Sequence, residues 1–301
     1  IYHLFVELAI KLNPQYIVMI TPSRWFTGGM GLSKFREKMM SDKRIRSITD
    51  YPNAKECFPC TSISGGVSYF LWDKNHKSTC NFISVKSGNE TSFDTNLNEY
   101  DIVIRNEESK GIIDAINKQA VGKFSDLVSP INCINIPSSF RGEKKLSSDD
   151  IKVLHSKGYG YISKSIYDSK SRSGDLTYKY KVVVSRTVSE HANEPNKDGT
   201  FKVLSKTVIL PPGEVCTHSY LVVASFDNAY EAENCIKFLH TKIVRFLILQ
   251  TITGIDLSSS RFTFVPKISF KTPLSDNDMY KTHELTENQI SHIEKLIRKI
   301  I

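Results

Sequence analysis

The chain has 301 residues, 40% of them apolar and 10% aromatic, an ordinary globular composition for which disorder is not the default and a length that leaves room for two folded domains. A formal net charge of +8 favours an anionic partner, either nucleic acid or a membrane surface. No apolar run reaches the ~20 residues of a spanning helix, and six cysteines in so long a chain suit a reducing cytoplasm better than a disulfide framework.

Ile1, Leu4, Phe5, Leu8 and Leu12 recur at helical spacing, which predicts a first helix with one apolar face, stopped by Asn13-Pro14. This helix begins without an initiating Met, so the chain reads as a fragment of something longer. Residues 16–20 form a short, continuously apolar run, the pattern of a strand covered on both faces. The loop after it, Thr21-Pro22-Ser23-Arg24-Trp25-Phe26 and then Gly28-Gly29, is rigid first and mobile afterwards. Leu32, Phe35 and Met39 mark a second helix, and residues 45–51 a strand. Then comes the stretch from Cys57 to Trp72: a Phe-Pro loop (Phe58, Pro59), a Ser-Gly-Gly turn (Ser64, Gly65, Gly66) and a strand of β-formers at 67–72 that reads as buried on both faces. The order of elements is half of a doubly wound α/β sheet; lacking a Gly-rich first turn, it is the C-terminal half.

After Asp73 the chain turns polar, with a strand predicted at 81–85 and a linker at 87–98, rich in Gly, Ser, Asn and Thr. The first domain is therefore placed at 1–86. The second, at 99–301, opens with residues 100–104 and a helix around Ile112 and Ile116. Residues 138–150 read as a polar loop, and 159–163, 176–188, 201–210 and 215–226 as strands of a mixed α+β domain. A long helix follows, capped by Asp227, with Ala232, Ile236, Leu239, Ile243 and Phe246 on one face. The closing helix carries a capping box, Thr286 to Gln289, stapled by Leu285 and Ile290, with Ile290, Ile293, Ile297 and Ile300 on its buried face.

Three constellations carry chemistry. Phe58, held on a rigid loop beside a strand, either fills the core or offers a surface on which a flat substrate stacks. Cys57, Cys60, His76 and Cys80 have the spacing C-x2-C-x15-H-x3-C, which suits tetrahedral zinc; the strand expected between the pairs instead favours small buried cysteines. Lys164, Lys170, Arg172, Lys179, Lys181 and Arg186 are interleaved with Tyr159, Tyr161, Tyr167, Tyr178 and Tyr180, against only Asp168 and Asp175. Such a stretch contacts phosphates and bases, or forms the solvated face of a β-hairpin. There is no Gly-rich turn after an initial strand, no Walker loop and no Gly-x-Ser-x-Gly. His155, His191 and His218 are scattered among polar residues, so no autonomous catalytic site is read.

At Ile1 to Trp25 and Phe58 to Trp72 the sequence resembles the N6-adenine DNA methyltransferases of restriction–modification systems, those whose catalytic domain precedes a target-recognition domain. The residues that carry this are the helix start Ile1-Tyr2-His3-Leu4-Phe5-Val6-Glu7, the strand Tyr16-Ile17-Val18-Met19-Ile20, the turn Pro22-Ser23-Arg24-Trp25, and Phe58-Pro59. After them come the strand Gly65-Gly66-Val67-Ser68-Tyr69-Phe70-Leu71-Trp72 and, towards the end, Pro212-Gly213-Glu214-Val215-Cys216-Thr217 and the region from Phe264-Val265-Pro266 to Ile301. The likeness is specific in the first 75 or so residues and weaker at 87–207.

The resemblance implies a Rossmann-like methyltransferase sheet, of which this chain holds the rear part, followed by a DNA target-recognition domain. It implies a parent enzyme that flips adenine out of duplex DNA and methylates N6 from S-adenosylmethionine. Phe58, with Pro59, would stack on the flipped base, and Arg24 and the basic residues above would contact DNA. The family's Asn-Pro-Pro-Tyr and Gly-containing cofactor loops have no counterpart in the chain, so no catalytic residue and no S-adenosylmethionine binding are expected of it alone. Cys60 stands where glycine is usual in the family. The rivals are a non-catalytic DNA-specificity or interaction subunit, and a metal-dependent nuclease resting on the Cys/His spacing.

Overall fold

A computed structural model of the chain describes residues 1–28, 31–61, 63–145, 147–190 and 195–300. Gly29, His191 and Ile301, named above, lie outside the described residues. The chain divides into two compact units. One holds Ile1–Asp114, Glu190–Asn196 and Gln250–Ile255; the other holds Ala115–Ser189, Lys197–Leu249 and Asp256–Ile301.

The first unit is built on a five-stranded sheet. Helix α1 (Tyr2–Lys11) is followed by strand β1 (Tyr16–Pro22), helix α2 (Ser33–Ser41), and strands β2 (Ile45–Tyr51), β3 (Val67–Asp73), β4 (Cys80–Lys86) and β5 (Asn89–Thr95). The strand order is β1-β3-β2-β4-β5. β3 runs antiparallel to both its neighbours, β2 and β4 are parallel, and β5 closes antiparallel on β4. Ile17, Phe35, Ile48, Phe70, Trp72 and Phe82 form the centre of its core.

Two apolar surfaces of this unit face outward, contrary to the sequence pattern. On α1 the stripe Ile1, Leu4, Phe5, Leu8 and Leu12 is 55–86% exposed, while Val6 is fully buried with Tyr2 and Ile10 packed beside it. The helix carries a second apolar stripe, Tyr2, Val6 and Ile10, beside a polar one of His3, Glu7 and Lys11, so spacing alone picks out two apolar stripes and cannot rank them. On β1, Ile17 and Thr21 are buried but Tyr16, Val18 and Ile20 are 46–67% exposed, and Tyr69, paired with Ile20, is 39% exposed. Neither β1 nor β3 is therefore covered on both faces, and β1 is an edge strand.

Residues 87–98 are not a linker. Ser87 and Gly88 take φ of 53° and 75°, the backbone of a two-residue hairpin turn, and join β4 to β5. The Gly/Ser signal marked that turn, and Phe93 beyond it is in the core. Residues 100–104 also stay with the first unit: Val103 is buried in its core and its N–H donates to Phe26 O (3.0 Å). The division falls instead inside helix α3 (Glu107–Gln119).

The second unit contains β6 (Ile151–His155), β7 (Gly158–Ile162), α4 (Lys164–Lys170), β8 (Tyr180–Ser185), β9 (Thr207–Leu210), β10 (Glu214–Cys216) and β11 (Tyr220–Phe226). Helices α5 (Ala229–His240), α6 (Lys242–Leu249), α7 (Asp276–Thr282) and α8 (Glu287–Leu296) follow. Its strands form two three-stranded sheets, β10-β6-β7 and β11-β8-β9. The predicted long helix is two helices, because Thr241 leaves the helical region (ψ 150°) and its hydroxyl donates to Phe238 O (2.7 Å). Asn228, not Asp227, caps α5 by accepting from the Glu231 N–H (2.9 Å); Asp227 pairs with Lys179 (3.3 Å). The closing helix has its capping box as read, Thr286 N–H to Gln289 Oε1 (2.9 Å) and Gln289 N–H to Thr286 Oγ1 (3.3 Å), and Ile293 and Ile297 are fully buried.

Candidate nucleic-acid interface

Phe58 is 39% exposed and is not core filling. Its backbone is held from both sides. Asn53 accepts from the Lys55 N–H (3.2 Å) and starts a tight helical turn; the Phe58 N–H donates to Ala54 O (2.8 Å), and the Thr61 N–H donates to Phe58 O (3.0 Å). Pro59 then restricts the backbone of Phe58 as well as its own. At the far end of the loop Gly65 and Gly66 both have positive φ (88° and 84°), and a Cβ on Gly66 would overlap Tyr51 O. Among the described residues the loop is bonded at its entry and packed at its exit, with the Phe58 ring and Pro59 exposed between them.

Behind the loop lies a buried polar cluster with no local sequence signal. Asp50 on β2 is fully buried; it accepts from Ser23 Oγ (2.7 Å) and faces Arg105 Nε (3.2 Å). Burial pushes the Asp50 carboxyl up, against the downward pull of Arg105 and Ser23. Arg24, in the same turn as Ser23, is half-buried. Its charge draws the Tyr2 phenol down, but burial outweighs it and sets that group at about 12.

The zinc-like set does not assemble. Cys57 and Cys60 lie in the Phe58 loop, His76 Nε2 is bonded to Thr79 O (3.0 Å), and Cys80 is buried at the start of β4 with its thiol pushed up to about 12 by desolvation. Among the described residues no three His, Cys, Asp or Glu side chains are grouped to hold a metal ion. The spacing is a consequence of β3 running between the two pairs, and the nuclease reading loses its support.

In the second unit the basic stretch is dispersed over β7, α4, a tight turn at Gly174–Tyr178 and β8, not along one hairpin face. Lys164, Lys170 and Arg172 are exposed, with Lys164 paired to Asp168 (3.0 Å). Lys179 is half-buried beside Asp227, and Arg186 is half-buried with one terminal nitrogen donating to His218 O (3.3 Å). Lys181 leaves the set. It is fully buried, and its Nζ donates to the carbonyls of Lys179 (2.6 Å), Leu176 and Thr177 (both 3.1 Å), an enclosure from which an ammonium cannot reach a phosphate. Of the tyrosines, Tyr167 is core, whereas Tyr159 and Tyr178 are 47% and 66% exposed. Lys152 lies 4.3 Å over the Tyr159 ring, a pairing that sequence reading passed over because the two stand on separate strands. Among the described residues no helix is long and apolar enough to cross a membrane.

Residues 1–58 match the family model of the Eco57I restriction-modification methylase. An uncharacterized adenine-specific methylase of Mycoplasma pneumoniae (strain ATCC 29342 / M129 / Subtype 1) is 34% identical over 112 residues, 36% of this chain and 26% of that protein. The match thus spans about a quarter of the curated relative's length. The type IIG restriction endonuclease BpuSI superposes over 98% of this chain and 49% of its own, with a TM-score of 0.33 and 10% identity, a likeness too slight to argue from. The first 58 residues are thus similar to the restriction–modification methylases, and the curated relative that matches is described as an adenine-specific methylase.

Proposed function

We propose that the chain is the rear part of the catalytic domain and the target-recognition domain of a site-specific DNA adenine methylase, supplying one wall of the pocket for a flipped adenine. The observation that carries this reading is Phe58, exposed at the tip of a loop held at both ends, within the stretch that resembles the family. A duplex containing 2-aminopurine opposite an abasic site tests it. The chain should bind and quench the fluorescent base, and Phe58→Ala should weaken that binding by about 1–3 kcal/mol, the usual worth of a base–aromatic stack. Equal quenching by both proteins would remove Phe58 from the pocket. Arg24, Lys164, Lys170, Arg172, Lys179 and Arg186 are proposed to contact duplex DNA, with binding that falls steeply with salt as phosphate contacts require. A shallow slope would favour the rival, an interaction subunit that docks on protein.

Methyl transfer belongs to the whole enzyme in this reading. S-adenosylmethionine would supply the methyl group there, and this chain alone is proposed not to hold it. At the turn before β3, Gly65 and Gly66 pack against Thr253 O and Tyr51 O and leave no room for a ligand there, and the sequence has no Asn-Pro-Pro-Tyr. A methyl-transfer assay showing turnover by the chain alone would overturn this.

The missing portion is proposed to cover α1 and the free edge of β1. The exposed stripe of α1 and the exposed Tyr16, Val18 and Ile20 support this, since apolar surface so concentrated marks an interface. Leu8→Lys should therefore leave the stability of the chain within about 0.5 kcal/mol, as exposed substitutions do, yet abolish its co-purification with a co-expressed N-terminal methylase portion. A Leu8→Lys chain that is strongly destabilised, or that still co-purifies, would contradict the assignment.

A further inference from the structure

The side chains that hold the exit of the Phe58 loop come from three places far apart in sequence. Arg105, in neither helix nor strand, donates from one terminal nitrogen to Gly65 O (2.5 Å) and faces Asp50 through Nε (3.2 Å). Asp50 takes the hydroxyl of Ser23, whose own N–H donates to Gly66 O (2.9 Å). The Arg105 guanidinium also lies over the Phe26 ring at 5.2 Å. From the other side the Thr253 hydroxyl bonds the Thr27 hydroxyl, and the Thr253 carbonyl stands 3.0 Å from where a Cβ on Gly65 would lie. The turn after β1 and the turn before β3 are thereby joined to one buried ion pair and to the segment Gln250–Ile255.

We propose that Arg105, with Asp50 and Thr253, positions the Phe58 loop, fixing where the ring stands to meet a base. The proposal rests on the stacking reading given above for Phe58. The sheet has its own ladder and core, so the effect of these three residues is local. Without Arg105 a buried carboxylate loses its counter-charge and Gly65 O loses its donor, and both losses fall at the root of the loop.

Amide hydrogen exchange on the full chain tests this, read at Phe58, Thr61 and Gly66 and, as a control, along β4 and β5. Arg105→Met should speed exchange at the three loop amides by on the order of tenfold or more and leave β4 and β5 at wild-type rates. Arg105→Lys, which keeps a charge beside Asp50 but loses the fork, should fall between. If Arg105→Met does not fold, Thr253→Val decides by the same readout, since it deletes only the hydroxyl pair with Thr27. Unchanged loop exchange, or acceleration shared equally by β4 and β5, overturns the proposal. The 2-aminopurine quench separates the two claims. Arg105→Met should lose quenching as Phe58→Ala does, while Phe58→Ala keeps wild-type exchange at Gly66. If Phe58→Ala quenches normally, the stacking reading fails and exchange alone decides the positioning role.

Discussion

Gly66→Ala is expected to destabilise the first unit by roughly 3 kcal/mol or more, from a left-handed backbone combined with hard overlap. The new Cβ would overlap Tyr51 O, the last residue of β2, and stand 2.7 Å from Pro52 O. Both are backbone atoms, which no rotamer change can clear. Gly31 is the internal control: its φ is +82° but a Cβ there meets nothing within 4 Å. Gly31→Ala should therefore cost only the conformational share, about 1 kcal/mol. The chain has two tryptophans, Trp25 and Trp72, both buried in the first unit, so their fluorescence in a urea titration reports that unit directly. Equal midpoints for the two variants would mean that the close approach of the turn to β2 is not what requires glycine.

The consequence reaches the candidate site, because Gly66 O is the acceptor for Ser23 N–H and so the point where the loop meets the Asp50–Arg105 cluster. That cluster could not be read from sequence. Asp50 and Arg105 are 55 residues apart, neither stands in a motif, and a lone Arg at the end of the short apolar run Ile102-Val103-Ile104 carries no sign of a buried carboxylate partner. What was legible had a local cause. The capping box at Thr286 and Gln289 is a reciprocal bond within four residues, and the Phe-Pro loop and Gly-Gly turn are set by backbone chemistry. Burial was legible only where one stripe was apolar. In α1 two stripes compete, and the structure buries the one containing Val6; β1 is apolar throughout, so its pattern could not show that one face would be left open. The hairpin at Ser87-Gly88 reads as a linker in the sequence because turn and linker share their composition, and only the pairing of Lys86 with Asn89 distinguishes them.

Lys181 shows the same limit with the largest consequence for the second unit. In the sequence it is one cation among six; in the fold it is fully buried, with its Nζ bonded to backbone carbonyls. Lys181→Ala should cost about 3 kcal/mol, as the removal of a buried side chain leaves a cavity and unmatched acceptors. Amide exchange along β8 and β11 would register it. A phosphate-contacting lysine predicts the opposite pattern: unchanged stability and a salt slope of DNA binding reduced by about one. The charge has its own signature. Burial lowers the Lys181 ammonium to about 8, against roughly 10.4 for a lysine in an unfolded chain. Between these values the unfolded chain keeps a proton that the folded chain has released, so stability rises with pH across this window. The contribution is complete above the unfolded value and is lost as pH falls through about 8. Lys181→Met keeps most of the volume and removes the titration, so the stability of the wild type relative to Lys181→Met should grow from pH 8 to pH 10. A difference that stays flat over that range would place the ammonium in water, and Lys181 back among the residues free to meet DNA.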